Sequence, residues 1–97
     1  MSIDIVVDLE TTGTSAGCGI LSIGACTLNL EERFYEKIWI MSYIDAGLKD
    51  SADTLDWWSK QSAEARMEAF SGTTHLIEAL GNFNDWFFSL EKKYGSA

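Results

Sequence analysis

The chain has 97 residues, 46 % hydrophobic and 12 % aromatic, and its 15 acids against seven bases give a formal charge of −8. That length fits one small domain spanning residues 1–97, with enough apolar content for a packed core, which excludes disordered and coiled-coil classes. No apolar run approaches the roughly 20 residues of a membrane helix. The bases Arg33, Lys37, Lys49, Lys60, Arg66, Lys92 and Lys93 are scattered, so the sequence has no basic patch of the kind that displaces phosphate counterions. A solvated acidic surface, open to a basic protein partner, is the expectation.

In chain order, "IDIVVDL" is rich in β-branched residues and predicts a strand over residues 3–9. "TTGTSAGCG" is a loop by composition. "ILSIGACTL" predicts a second strand over 20–28 and, after the turn "NLEE", "RFYEKIWIM" a third over 33–41. Short connections make these a three-stranded antiparallel meander. Trp39 and Tyr43 read as core or half-buried.

The pattern then turns helical. Ser51 is a good N-cap for a helix over 51–60, with Asp53 and Asp56 in its first turn. Ser62 caps a second over 62–70, ended by Ser71 and Gly72. Thr73 or Thr74 opens a third over 74–93, with Gly95 beyond its end. Its residues Leu76, Ile77, Leu80, Phe83, Phe87 and Leu90 fall at spacings of three and four and predict one buried stripe. The fold class is α+β, a meander followed by three helices.

An acid at position 4 and the absence of a basic leader argue against a signal peptide. Cys18 and Cys26 fit neither a metal-ligand pattern nor a disulfide framework, so free thiols in a reducing cytoplasm are expected.

Asp8 and Glu10 end the first strand. Residues i and i+2 share a strand face, so the two carboxylates project side by side and repel unless a cation sits between them. A hard divalent ion, Mg²⁺ or Mn²⁺, suits oxygen ligands and can activate water for phosphoryl displacement. Alone, an Asp-x-Glu is weak evidence, because many strands end in acids near solvent.

"DLETTG", the Gly/Ser-rich loop and "ILSIGA" resemble the first motif of the DEDD 3′–5′ exonucleases. "VVDLETTGTSAGCGILSIGAC", "FYEKI", "DTLDWWSKQSAEAR" and "HLIEALGNFNDWF" are similar, in order and spacing, to a bacterial and phage branch related to exonuclease VIII. The resemblance implies a ribonuclease H-like fold, of which this chain holds the first half. It implies that Asp8 and Glu10 are the first two metal ligands and the catalytic acids of an active relative. It further implies that Thr11 and Thr12 lie near the 3′-terminal nucleotide.

The family also uses a third acid in an N-x-x-x-F-D stretch, a fourth near the end of its fold, and a His or Tyr that orients water. Asn82, Asn84 and Asp85 fall mid-helix and do not supply them, and His75 reads as a partly exposed helix-start residue. Two carboxylates would hold Mg²⁺ or Mn²⁺ only weakly.

The expectation is a truncated, non-catalytic exonuclease relative. It would act as an acidic protein-binding module, such as a phage or prophage inhibitor of nucleic-acid-handling or defence machinery. The alternative is the N-terminal part of an active metal-dependent exonuclease completed by a longer parent or a partner chain, the one case in which nucleic acid binds. Losing the later strands would leave the first strand bare, so Ile3, Ile5 and Val7 are expected at an interface with a second copy or a partner protein. Trp57 and Trp58 face about 100° apart on their helix, so one is expected in the core and the other at an interface.

Overall fold

The computed structural model describes residues 4–95. Ile3, expected at the interface, lies outside them. The chain forms an antiparallel sheet of β1 (Ile5–Thr11), β2 (Ile20–Thr27) and β3 (Arg33–Lys37), followed by α1 (Ile40–Asp45), α2 (Ala52–Ser59), α3 (Ala63–Phe70) and α4 (Leu76–Tyr94). The α+β class and the meander order β1-β2-β3 agree with the sequence reading.

Two boundaries differ. The first strand runs two residues further than residue 9, so Asp8 and Glu10 stand within its ladder. The third strand stops at Lys37 instead of 41, and a short helix, α1, follows it. The sequence reading had three helices and the structure has four among the described residues. No side chain caps α1 at its start. Tertiary contacts hold it: Ser42 Oγ donates to Trp39 O and accepts from Leu76 N at 2.9 Å, and Tyr43 is fully buried. Trp39, at the corner before this helix, is exposed and not core.

The register fixes two sheet faces. Leu9 lies opposite Ile23 and Ile23 opposite Glu36, while Val7 lies opposite Ala25 and Ala25 opposite Phe34. This face takes α4: Phe34 packs edge-on to Phe83 with ring centroids 5.5 Å apart, and Asn82 Nδ2 donates to Glu36 Oε1 at 3.0 Å. The core gathers Leu21, Ile23, Ile38, Tyr43, Trp58, Leu76 and Ala79. On α4 the buried positions are Leu76, Ala79 and Leu90, with Phe83, Trp86 and Phe87 half-buried. Ile77 and Leu80, expected in the stripe, are exposed. The helix seats on β3 through the 79/83/86 line, which turns both outward. His75 is its N-cap, one residue past the expected threonines, and its Nδ1 accepts from Ile77 N.

Tyr43 carries a pH consequence. Burial first, and then the Asp50 carboxylate that accepts its O–H at 2.7 Å, push its pKa above the ordinary 10.0. The folded state therefore holds this proton more tightly than the unfolded chain. The resulting stability is complete below pH 10 and is lost as pH rises beyond it. Unfolding free energies from urea titrations between about pH 8 and about pH 11 should fall above pH 10 for the wild type, by up to about 1.4 kcal/mol per pH unit. Tyr43→Phe should lack that part of the fall.

Candidate active site

The opposite sheet face carries the polar chemistry. Two cross-strand rows lie on it: Asp8, Gly24 and Tyr35, then Glu10, Ser22 and Lys37. Asp8 and Glu10 are exposed, and neither forms an ion pair with the described residues. Lys37, the cation in the Glu10 row, is engaged elsewhere: its Nζ lies 3.3 Å from Glu68 and donates to Ser71 Oγ at 3.0 Å. Asp8, Gly24, Arg33 and Tyr35 line a shallow cavity of about 320 Å³.

A second, larger cavity of about 420 Å³ opens beside Glu10. Ser22 and Tyr35 form its floor, and Trp57, Gln61 and Glu68 of α2, its following loop and α3 form its wall. Ser51 Oγ accepts from Thr54 N at the start of α2, and Ser62 Oγ accepts from Ala65 N at the start of α3, so both capping serines act as the sequence suggests. The adjacent tryptophans diverge as helical geometry requires. Trp58 is buried against Phe70, while Trp57 is 54 % exposed and meets Trp58 edge-on. Tyr35 and Gln61 were not singled out in the sequence. The alternation of β3 is the signal for Tyr35, since Arg33, Tyr35 and Lys37 must share one face. Nothing local marked Gln61.

Thr11 and Thr12 do not behave alike. The ladder slips between Glu10 and Thr11, where Thr11 pairs with Ile20. Thr11 Oγ1 donates to Gly13 O at 2.7 Å, and its carbonyl accepts from Trp58 Nε1 at 3.5 Å. Thr12 is fully buried and its hydroxyl has no hydrogen-bond partner among the described residues. It crowds Gly19 together with the Tyr43 ring: a Cβ on Gly19 would lie 2.4 Å from that ring and 2.5 Å from Thr12 Oγ1. The structure thus joins Asp8, Glu10, Tyr35 and Trp57 on one face and leaves Thr12 in the interior. His75 is remote in role, serving as a helix cap.

The carboxylate pair is right in kind for a hard divalent cation, since both ligands are oxygen donors. It is short in number. Among the described residues no three of His, Cys, Asp or Glu come together as a metal-holding group. An ion held by two carboxylates keeps most of its water, and the described residues do not make up a two-metal centre. Both cysteines are free, and no helix among the described residues is long and apolar enough to cross a membrane.

The structure is thus an α+β domain that carries an acidic pair on its first strand beside an aromatic-walled cleft. The chain belongs to the family of the 3′-5′ exoribonuclease Rv2179c-like domain, whose model matches residues 3–96. Neither a curated protein nor a solved structure matches the chain.

Proposed function

We propose that this exoribonuclease-family domain, on its own, binds protein and does not cleave RNA. The observation that carries the reading is the composition of the acidic face: Asp8 and Glu10 share one strand face with no third ligating group beside them among the described residues. Phosphoryl transfer spreads negative charge over the transferred oxygens, and the protein must clamp that charge with metal ions or fixed cations. Here Lys37, the cation in the Glu10 row, is already paired with Glu68. Two further features favour binding: the net charge of −8 and a first strand whose outer edge is unpaired among the described residues. An acidic module of this kind suits a basic partner, including nucleic-acid-handling machinery that it would inhibit.

A second reading has one observation of its own. Trp57 and Tyr35 flank the cleft beside Glu10, and aromatic faces of this kind stack nucleobases at about 1–3 kcal/mol per base. On this reading Asp8 and Glu10 are the first acids of an active DEDD-type, exonuclease VIII-related centre. Groups outside residues 4–95, in a longer parent or a partner chain, complete it.

Incubation of the 97-residue chain and its Asp8→Asn variant with single- and double-stranded RNA and DNA in Mn²⁺ tests whether the domain cleaves on its own. The expected result is no cleavage above buffer by either protein. Cleavage that requires Mn²⁺ and disappears in the variant would overturn the proposal that the domain is inactive on its own.

A further inference from the structure

The cleft beside Glu10 joins ring surface to hydrogen-bond acceptors, and one of its groups is buried without a partner. Ser22 is 4 % exposed and lines the cleft from β2, yet its Oγ bonds to no other described residue. An unpaired buried hydroxyl is costly, so a polar group that enters the cleft gains a bond there. Gln61 Nε2 donates to Trp57 O at 3.1 Å, which leaves its side-chain carbonyl oxygen as an acceptor. Glu68 gives Oε1 to Lys37 and keeps Oε2 free, and Glu10 has both oxygens free among the described residues. Trp57 and Tyr35 supply the rings, 54 % and 59 % exposed. No base is among the described residues that line the cleft. Its walls fall between Glu10 and Ala69, in strands and helices that pack on one core.

From this set of rings and acceptors we infer that the cleft receives an arginine side chain of a partner protein. The inference rests on the protein-binding reading above and gives it a point of contact. A guanidinium has five N–H donors, no acceptor and a flat face that stacks on aromatic rings. Every free polar group named here can accept: the Glu10 and Glu68 carboxylates, the Gln61 carbonyl and Ser22 Oγ. The guanidinium plane would stack on Trp57 or Tyr35 while its edge turns to the acids. Lysine offers the charge without the flat face or the fork.

The rings alone would suit a nucleobase as well, and charge decides between the two. A nucleotide would bring its phosphate beside Glu10 and Glu68. Lys37, the cation in the Glu10 row, is already held by Glu68 and Ser71. Size agrees with a single side chain, since about 420 Å³ lies near the lower end of the about 300–1,000 Å³ typical of small-ligand sites.

The test titrates the full chain, in low salt without divalent metal, with four probes. Three are end-blocked tripeptides, Gly-Arg-Gly, Gly-Lys-Gly and Gly-citrulline-Gly, the last a neutral near-isostere of the first. The fourth is adenosine 5′-monophosphate. Binding is followed by the NMR signals of the Trp57 indole N–H and the Gln61 side-chain amide. The arginine peptide should bind about fivefold more tightly than either control peptide and shift both signals. Trp57→Ala and Glu10→Gln, both at exposed positions, should each weaken it about fivefold or more. Glu78→Gln makes the same change of charge on α4, which packs on the opposite sheet face, and should leave the affinity unchanged. Equal affinity for the arginine peptide and either control peptide would overturn the inference. So would equal losses from Glu10→Gln and Glu78→Gln, which would reduce the effect to bulk charge. Tighter binding of the nucleotide would assign the cleft to nucleic acid and overturn it too. No binding by any probe, in a chain that cleaves no RNA, would remove this cleft as the site and leave protein binding standing. RNA cleavage in the Mn²⁺ assay would instead overturn the proposal that the domain is inactive on its own.

Discussion

Gly72→Ala should destabilise the domain by about 3 kcal/mol, because the added methyl has no space to move into. Residues 72–74 lie alongside 37–39: Ile38 and Thr74 form a parallel bridge, and Trp39 N donates to Thr74 O at 2.8 Å. A Cβ on Gly72 would fall 2.4 Å from Ile38 O, 2.5 Å from Ile38 N and 2.6 Å from Ile38 C. All three are backbone atoms of a residue that is itself fully buried, so no side-chain rotation relieves the clash. Relief requires the two segments to part, which breaks the bridge and lifts the start of α4 from the core. For a domain of this size the expected loss lowers Tm by roughly 12–24 °C. Gly81→Ala is the matched control. Gly81 lies within α4 with nothing inside 4 Å of its added Cβ, so alanine there should raise stability by up to about 1 kcal/mol through helix propensity alone. Equal Tm values for the two variants would show that the Gly72–Ile38 approach is not what limits this position.

Much of the scaffold was legible because its signals are local. The β-branched run before Asp8 needs only period-two logic to become a strand with both acids on one face, and Ser51 and Ser62 mark their helices by capping chemistry. What could not be read depends on contacts distant in sequence. "IWIM", residues 38–41, is apolar throughout, so it continues a strand pattern. Only the hydrogen bond from Leu76 N to Ser42 Oγ and the burial of Tyr43 make the following residues a helix. Six residues are also too few to display a helical period. Likewise, Ile77 and Leu80 satisfy the spacing of a buried stripe, but α4 rests on β3 along a neighbouring line, and spacing alone does not say where a helix docks. The candidate site divides in the same way. Asp8, Glu10 and Trp57 were visible as residue types in a pattern, while Tyr35 and Gln61 joined them only when the sheet and the helices closed around a common cleft.

Trp58→Ala should be the most damaging single truncation on the cleft side of the sheet. Trp58 is 9 % exposed, packs edge-on to Phe70 at 5.5 Å and belongs to the main core, so its removal should cost about 3–5 kcal/mol. A domain of this length holds only about 5–15 kcal/mol in total, so the alanine variant is expected to keep a much smaller margin and, at the low end of that range, to be about half unfolded at 25 °C. Trp58→Phe separates packing from the second role of this side chain. Phenylalanine keeps a ring against Phe70 but loses the Nε1–H that reaches Thr11 O at 3.5 Å, at the point where the β1–β2 ladder slips. That bond pins the strand directly after Glu10, so it fixes how the acidic pair is presented to the cleft. The phenylalanine variant should remain folded, with a loss of about 1 kcal/mol by urea denaturation. It should also exchange the amide hydrogens of Thr11 and Thr12 faster than wild type while those of β2 and β3 stay unchanged. Wild-type exchange at both threonines would mean that the ladder alone holds the slip and that Trp58 acts on the acidic face only through the core.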